Sequence, residues 1–122
     1  MRIIENDIIS FGTFEAMTIG PYIFCKDANE LDEKGINHEA IHWEQQKELL
    51  VIGFYLLYIA LWIIEVGRCV FNNERGYDTS KNKNGVFKRA YRSIAFEREA
   101  YSNQCNLEYI GERKDYAWIN FL

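Results

Sequence analysis

Both histidines of this chain fall four residues apart, in the pentapeptide His38-Glu39-Ala40-Ile41-His42 within the run GINHEAIHWEQQKELL. On a helix, residues at that spacing project from one face, so the two imidazoles can reach a single metal ion while Glu39 sits beside them. Two imidazole ligands with an adjacent carboxylate are the working parts of a zinc hydrolase, the carboxylate serving as general base.

A catalytic zinc site needs a third protein ligand and an open position for water. The chain has no third histidine, and Cys25, Cys69 and Cys105 are scattered rather than paired. The ligand is therefore sought among the carboxylates that follow the motif. The segment AFEREAY offers Glu97 and Glu99. Two residues apart on a helix, they point about 200° away from each other, so only one can face the ion. Glu97 shares its side with Ala100, whose small side chain lets two helices approach closely, and is the better candidate. Arg98 and Glu99 are expected on a solvated helix face.

These groups need elements to position them. Between Arg2 and Cys25, β-branched and aromatic bursts are punctuated by Asn6-Asp7, Gly12 and Gly20-Pro21, which predicts two or three short strands in a small antiparallel sheet. Pro21 belongs at an edge or in a turn. Asn37 is a candidate N-cap for the motif helix, although a start nearer Glu30 fits as well. That helix is expected to run on into Leu49–Ile64, a stretch without a charged residue, where Gly53 is a candidate kink. Phe71–Gly85, rich in Asn, Ser, Gly and Lys, reads as an exposed connection. Helix-forming sequence resumes from Val86 to Ile110, with Ser93 as a candidate cap and Gly111 as a candidate stop. The apolar tail YAWINFL is expected to dock on the core. The sequence thus predicts a single α+β domain, 1–122: a small N-terminal antiparallel sheet with a mainly helical remainder.

Composition narrows the function. An apolar share of 48% and an aromatic share of 16% exclude a disordered chain. A net charge of −4, with acids and bases interleaved, leaves a nucleic-acid partner without an electrostatic footprint. Scattered cysteines fit reduced thiols, and the N-terminal MRIIENDIIS has no unbroken apolar run, so no signal peptide is expected and the cytoplasm is the expected compartment. Leu49–Ile64 has two readings: a hydrophobic arm packed on the sheet and the later helix, or a segment inserted in or lying on a membrane.

The two helical motifs together resemble a known family. H-E-x-x-H followed on a second helix by E-x-x-A-D is the signature of gluzincin-type zinc metallopeptidases, a group with integral-membrane members, and here the residues are His38-Glu39-Ala40-Ile41-His42 and Glu97-Arg98-Glu99-Ala100-Tyr101. The resemblance covers those two helices, and the short chain is similar to the minimal, minigluzincin version of the architecture. It implies a minimal zincin-like fold, Zn2+ held by His38, His42 and Glu97, Glu39 as catalytic base, and a peptide or protein substrate. Tyr101 stands where the family has an Asp that hydrogen-bonds a ligand histidine, a neutral replacement that raises ligand basicity less.

A developing oxyanion needs a donor besides the metal. Tyr91 is the first candidate and Arg92 the second, against the alternative that Tyr91 is an ordinary half-buried tyrosine. By analogy with zincins, Ala16–Ile19 or Tyr22–Cys25 would be an edge strand that aligns substrate. The competing functional reading is a membrane-associated helical module, in which zinc only staples two helices. Self-association into a homo-oligomer is compatible with either reading.

Overall fold

The computed structural model describes residues 2–5, 16–25, 29, 31–71 and 86–122. Three strands, β1 (Arg2–Glu5), β2 (Ala16–Ile19) and β3 (Tyr22–Cys25), precede the helices α1 (Glu33–Glu48), α2 (Ile52–Val70), α3 (Val86–Ser93), α4 (Ala95–Asn103) and α5 (Tyr109–Glu112), and a 3-10 turn closes the chain at Ala117–Phe121. The class is α+β, as expected. The sheet has order β1-β3-β2 and is mixed: β2 and β3 form an antiparallel hairpin, while β1 runs parallel to β3. Burial explains the order. Ile23 and Cys25 of β3 are fully buried, so β3 takes the centre, and the largely exposed β1 lies at an edge. Gly20, at φ 60°, supplies the left-handed residue of the hairpin turn beside Pro21. The bursts at Ile8-Ile9, Phe11 and Phe14 lie outside the described residues, as does the connection after Phe71.

The motif helix starts earlier than Asn37. Asp32 is the N-cap of α1, its side chain accepting from the Gly35 N–H at 2.8 Å, with Glu33 in the first turn and Lys47 in the last. Asn37 instead faces inward and donates to the carbonyls of Gln104 and Asn106, at 2.9 and 3.0 Å, tying α1 to the turn after α4. The buried face of α1 is mostly polar: Asn37, His38, Glu39, Ile41, His42, Gln45 and Gln46. A helix with that face can pack only against partners that satisfy every one of those groups.

The helix also does not continue into the apolar run. It stops at Glu48, and Leu50 and Val51 adopt φ near 60° before α2 begins, a costly conformation for a β-branched residue. The break lets α2 fold back on α1, where Phe54 meets His42 and the Tyr55 hydroxyl lies 3.3 Å from the Gln46 amide nitrogen. Gly53 sits inside α2 without interrupting it. One side of α2 packs on the apolar cluster Phe54, Ile94, Phe96 and Trp118, joined by Tyr58, Leu61 and Trp62. Trp118 brings the C-terminal tail onto the core, as expected. The other side stays exposed: only 17% of the most apolar stretch of α2 is buried, and the helix is long and apolar enough to cross a membrane.

Between α3 and α4 the chain turns at Ile94, which caps α4 in an extended conformation. Ser93 closes α3 rather than opening α4, its hydroxyl donating to the Arg89 carbonyl at 2.9 Å. The helix then ends at Asn103, well before Gly111.

Candidate metal centre

Helix α1 presents His38 and His42 one turn apart, and α4 crosses them with Glu97 in its first turn. His38 Nε2 lies 3.2 Å from Glu97 Oε1, His42 Nε2 lies 3.1 Å from Glu97 Oε2, and the two Nε2 atoms are 3.2 Å apart. These three side chains form a buried group whose ligand atoms can hold a metal ion. Donors on a tetrahedral ion with bonds of about 2.0–2.1 Å are separated by about 3.3–3.4 Å, and each of these separations is close to that, with one Glu97 oxygen facing each imidazole. Ala100, fully buried one turn after Glu97, allows the close approach of α4.

The imidazoles are fixed by their far nitrogens. His38 Nδ1 is 2.8 Å from Gln104 Oε1, and His42 Nδ1 is 2.8 Å from Gln45 Oε1. The Gln45 amide cannot be turned around, because its Nε2 donates to the Phe96 carbonyl at 3.1 Å and to Glu99 Oε1 at 2.9 Å. Its oxygen must therefore face His42, whose Nδ1 carries the proton and whose Nε2 keeps a lone pair for a metal. A ligand histidine donating its other N–H to a fixed acceptor is the usual companion of a metal site.

Charge and burial shape the group further. His42 would lose its charge through burial, but the Glu97 carboxylate, by charge and hydrogen bond, outweighs this and pushes its pKa up to about 9. Burial works against the Glu97 carboxylate, yet the two histidines hold its pKa well below the usual range. Tyr58, from the apolar helix α2, donates to Glu97 Oε2 at 2.8 Å. Burial, then the charge of Glu97, pushes the Tyr58 phenol well above its ordinary pKa, so it stays a neutral donor.

Glu39 stands beside the group, its Oε2 3.9 Å from His38 Nε2. Thr18 on β2 donates its hydroxyl to Glu39 Oε1 at 2.8 Å. Burial raises the Glu39 pKa above its ordinary value, against the opposing pull of His42 and His38. All four side chains are buried, Glu39 at 9% exposure the least and Glu97 at 3% the most.

The remaining sequence candidates are placed differently from one another. Tyr91 is hydrogen-bonded to Tyr101, and its pKa is raised by burial and then by the charge of Glu97. Tyr101 packs edge-on against the His38 ring, centroids 4.5 Å apart, while the group that accepts from His38 Nδ1 is the Gln104 amide oxygen. Arg92 stacks over the Tyr101 ring at 4.2 Å. Glu99 is not solvated: it is fully buried and bound by Arg113 Nε at 2.6 Å and the Tyr109 hydroxyl at 2.7 Å. Arg98 is half-buried and donates to the Phe121 carbonyl.

Of the two strand candidates, β3 is central and only β2 is an edge. Even there, the Gln46 side chain occupies part of the edge, donating to the Thr18 carbonyl and accepting from the Gly20 N–H, both at 2.8 Å. Gln46 thus makes the pair of bonds that an added strand would make. The part of the β2 edge that Gln46 leaves open is its Ala16 end.

Thr18, Tyr58 and Gln104 carry no sequence signal of their own. Gln45 does, three residues after His42 and so on the same side of α1. No protein-family model, curated protein or solved structure matches this chain.

Proposed function

We propose that this protein is a zinc-dependent peptidase of gluzincin type. The observation that carries the reading is the convergence of His38, His42 and Glu97 on one point, with Glu39 held beside them by Thr18. Two imidazole nitrogens and one carboxylate oxygen are a three-ligand donor set suited to zinc. When bound there, zinc supplies Lewis acidity, polarising a peptide carbonyl and making a water acidic near neutral pH.

The protein's own groups do the rest. Thr18 occupies Glu39 Oε1, which leaves Oε2 to take a proton from water and pass it to the leaving amine. Burial, which raises the Glu39 pKa, helps the carboxylate hold the proton between the two transfers. Tyr58 fixes Glu97 so that its oxygens stay aimed at the histidines. Tyr91, kept neutral by its surroundings, is the candidate donor to negative charge developing on the carbonyl oxygen, its hydroxyl turning from Tyr101 to make that bond.

The tight closure of the site favours a second reading, in which zinc staples α1 to α4 and does no chemistry. Glu39 separates the two, because a structural site has no use for a tethered carboxylate next to its ligands. Gently purified protein should carry about one zinc per chain, lost in His42→Ala. Glu39→Gln should keep the zinc and lose peptide cleavage by about 100-fold or more. Metal-free wild type would overturn both readings; unchanged cleavage in Glu39→Gln would overturn the catalytic one.

A further inference from the structure

Helix α2 exposes Ile52, Leu56, Ile59, Ile63, Ile64 and Val70, each more than half accessible. At 100° per residue these positions, with Gly53, Ala60 and Gly67 between them, fill an arc of about 140°. No polar side chain interrupts that arc from Ile52 to Val70. Of the positions that border it, Tyr55, Leu57, Trp62 and Val66 are uncharged, and the charged one, Arg68, lies in the last turn and is paired with Glu65. A helix that pairs with a second copy buries a narrower seam flanked by charged positions. A wide, polar-free arc is what hydrocarbon accepts.

Charge supports the same occupant. Six of the fourteen Lys and Arg residues of the chain fall between Arg68 and Arg89, against two acids, although the whole chain is at −4. Among the described residues of that stretch, Lys88 is exposed next to Phe87, which is itself 65% exposed and packs on Trp62 of α2. A polybasic stretch adjoining an apolar helix is drawn to anionic headgroups.

The packing also fixes how the helix meets lipid. The opposite side of α2 is covered by Phe96 of α4 near Phe54 and by Phe87 of α3 near Trp62, and α3 brings Lys88 with it. Lipid therefore cannot surround α2 as it does a spanning helix. The geometry points to a monotopic seat: α2 lies in the plane of an anionic bilayer with the Ile52–Val70 arc in the hydrocarbon, and the metal centre lies on the protein-facing side of the same helix, at Tyr58.

Flotation of the full chain with vesicles of phosphatidylcholine alone, or with phosphatidylglycerol added, tests this. The protein should float with the anionic vesicles, less with the neutral ones, and less again in high salt. Leu56→Glu combined with Ile63→Glu should cut partitioning about tenfold or more, with unchanged circular dichroism because both side chains face outward. Leu107→Glu, at an exposed apolar residue outside α2, should leave partitioning as it is. Wild type that stays with the aqueous phase, equal losses in both variants, or a soluble dimer that the α2 variant splits would each overturn the proposal. Metal content plays no part in these readouts, so they stand or fall apart from the peptidase reading.

Discussion

Gln45→Leu isolates the contribution of orientation at the metal centre, because the substitution touches no ligand atom. Gln45 is fully buried, and its three hydrogen bonds run to His42 Nδ1, the Phe96 carbonyl and Glu99. Leucine fills most of the volume but leaves the His42 N–H without an acceptor where water has no access. A buried unpaired donor costs about 1–3 kcal/mol, and the imidazole relieves that cost by rotating or changing tautomer, either of which takes Nε2 off the metal. Loss of such a supporting acceptor weakens metal binding by about 10- to 100-fold, and the buried position puts Gln45→Leu at the upper end, about 100-fold. Gln104→Leu is the internal comparison. Gln104 makes the equivalent bond to His38 but is only half-buried, so water can replace the lost oxygen, and the loss should be nearer tenfold. Competition for zinc against a chromophoric chelator measures both, with circular dichroism as the check on folding. Equal effects of the two variants, or a folded Gln45→Leu within about twofold of wild type, would refute the account of His42 as a histidine fixed from behind.

Three further outcomes follow from the contacts in and around the site. With the pKa of His42 pushed up to about 9, binding a metal requires its proton to leave, so apparent affinity should climb about tenfold per pH unit up to about 9 and flatten above it. In the metal-free protein the raised pKa contributes stability that is complete below the unfolded value of 6.5 and is lost as pH rises through about 9; denaturant midpoints that do not fall across that interval would contradict the His42–Glu97 pairing. Arg113→Met should cost about 3–5 kcal/mol, because it leaves Glu99 fully buried without its cation and frees Glu48 at the end of α1. Urea denaturation gives the number, and a loss under about 1 kcal/mol would mean that Tyr109 and Gln45 suffice to hold Glu99.

What could be read from the sequence depended on locality. His38, Glu39 and His42 lie within one helical turn, so their spacing alone places them on one face, and Glu97 could be chosen over Glu99 by the small Ala100 beside it. The α+β class followed from the β-branched bursts ahead of helical sequence. Three features escaped because each is set by distant partners. Asn37 looks like a cap, but its amide is claimed by carbonyls after α4. Glu99 looks like a surface charge, but Arg113 arrives from the C-terminal segment to neutralise it. The motif helix looks continuous with the apolar run, but folding α2 back over His42 requires the left-handed residues Leu50 and Val51, whose side chains give no hint of that conformation.

The centre of this fold is unusually polar for its size. Gln45, Gln46 and Glu99 are fully buried, Glu97 and Glu65 nearly so, while the buried apolar cluster consists of Phe54, Ile94, Phe96 and Trp118. Burying such groups is tolerated only when each is satisfied, and here the satisfaction is shared: Gln45 serves His42, Phe96 and Glu99 at once, and Gln46 serves Thr18 and Gly20. One demand is met differently from the rest. The two Nε2 lone pairs and the Glu97 carboxylate face one another across 3.1–3.2 Å, an arrangement that needs either a proton or a metal ion between them. A proton serves only one histidine well, whereas a divalent ion serves all three groups. Folding and metal binding are therefore expected to be coupled, with the unfolding midpoint rising with free zinc in the way linkage requires and falling on chelation. The supporting glutamines exist on this view because a polar centre that a small apolar cluster cannot stabilise alone is held together by the ion it binds.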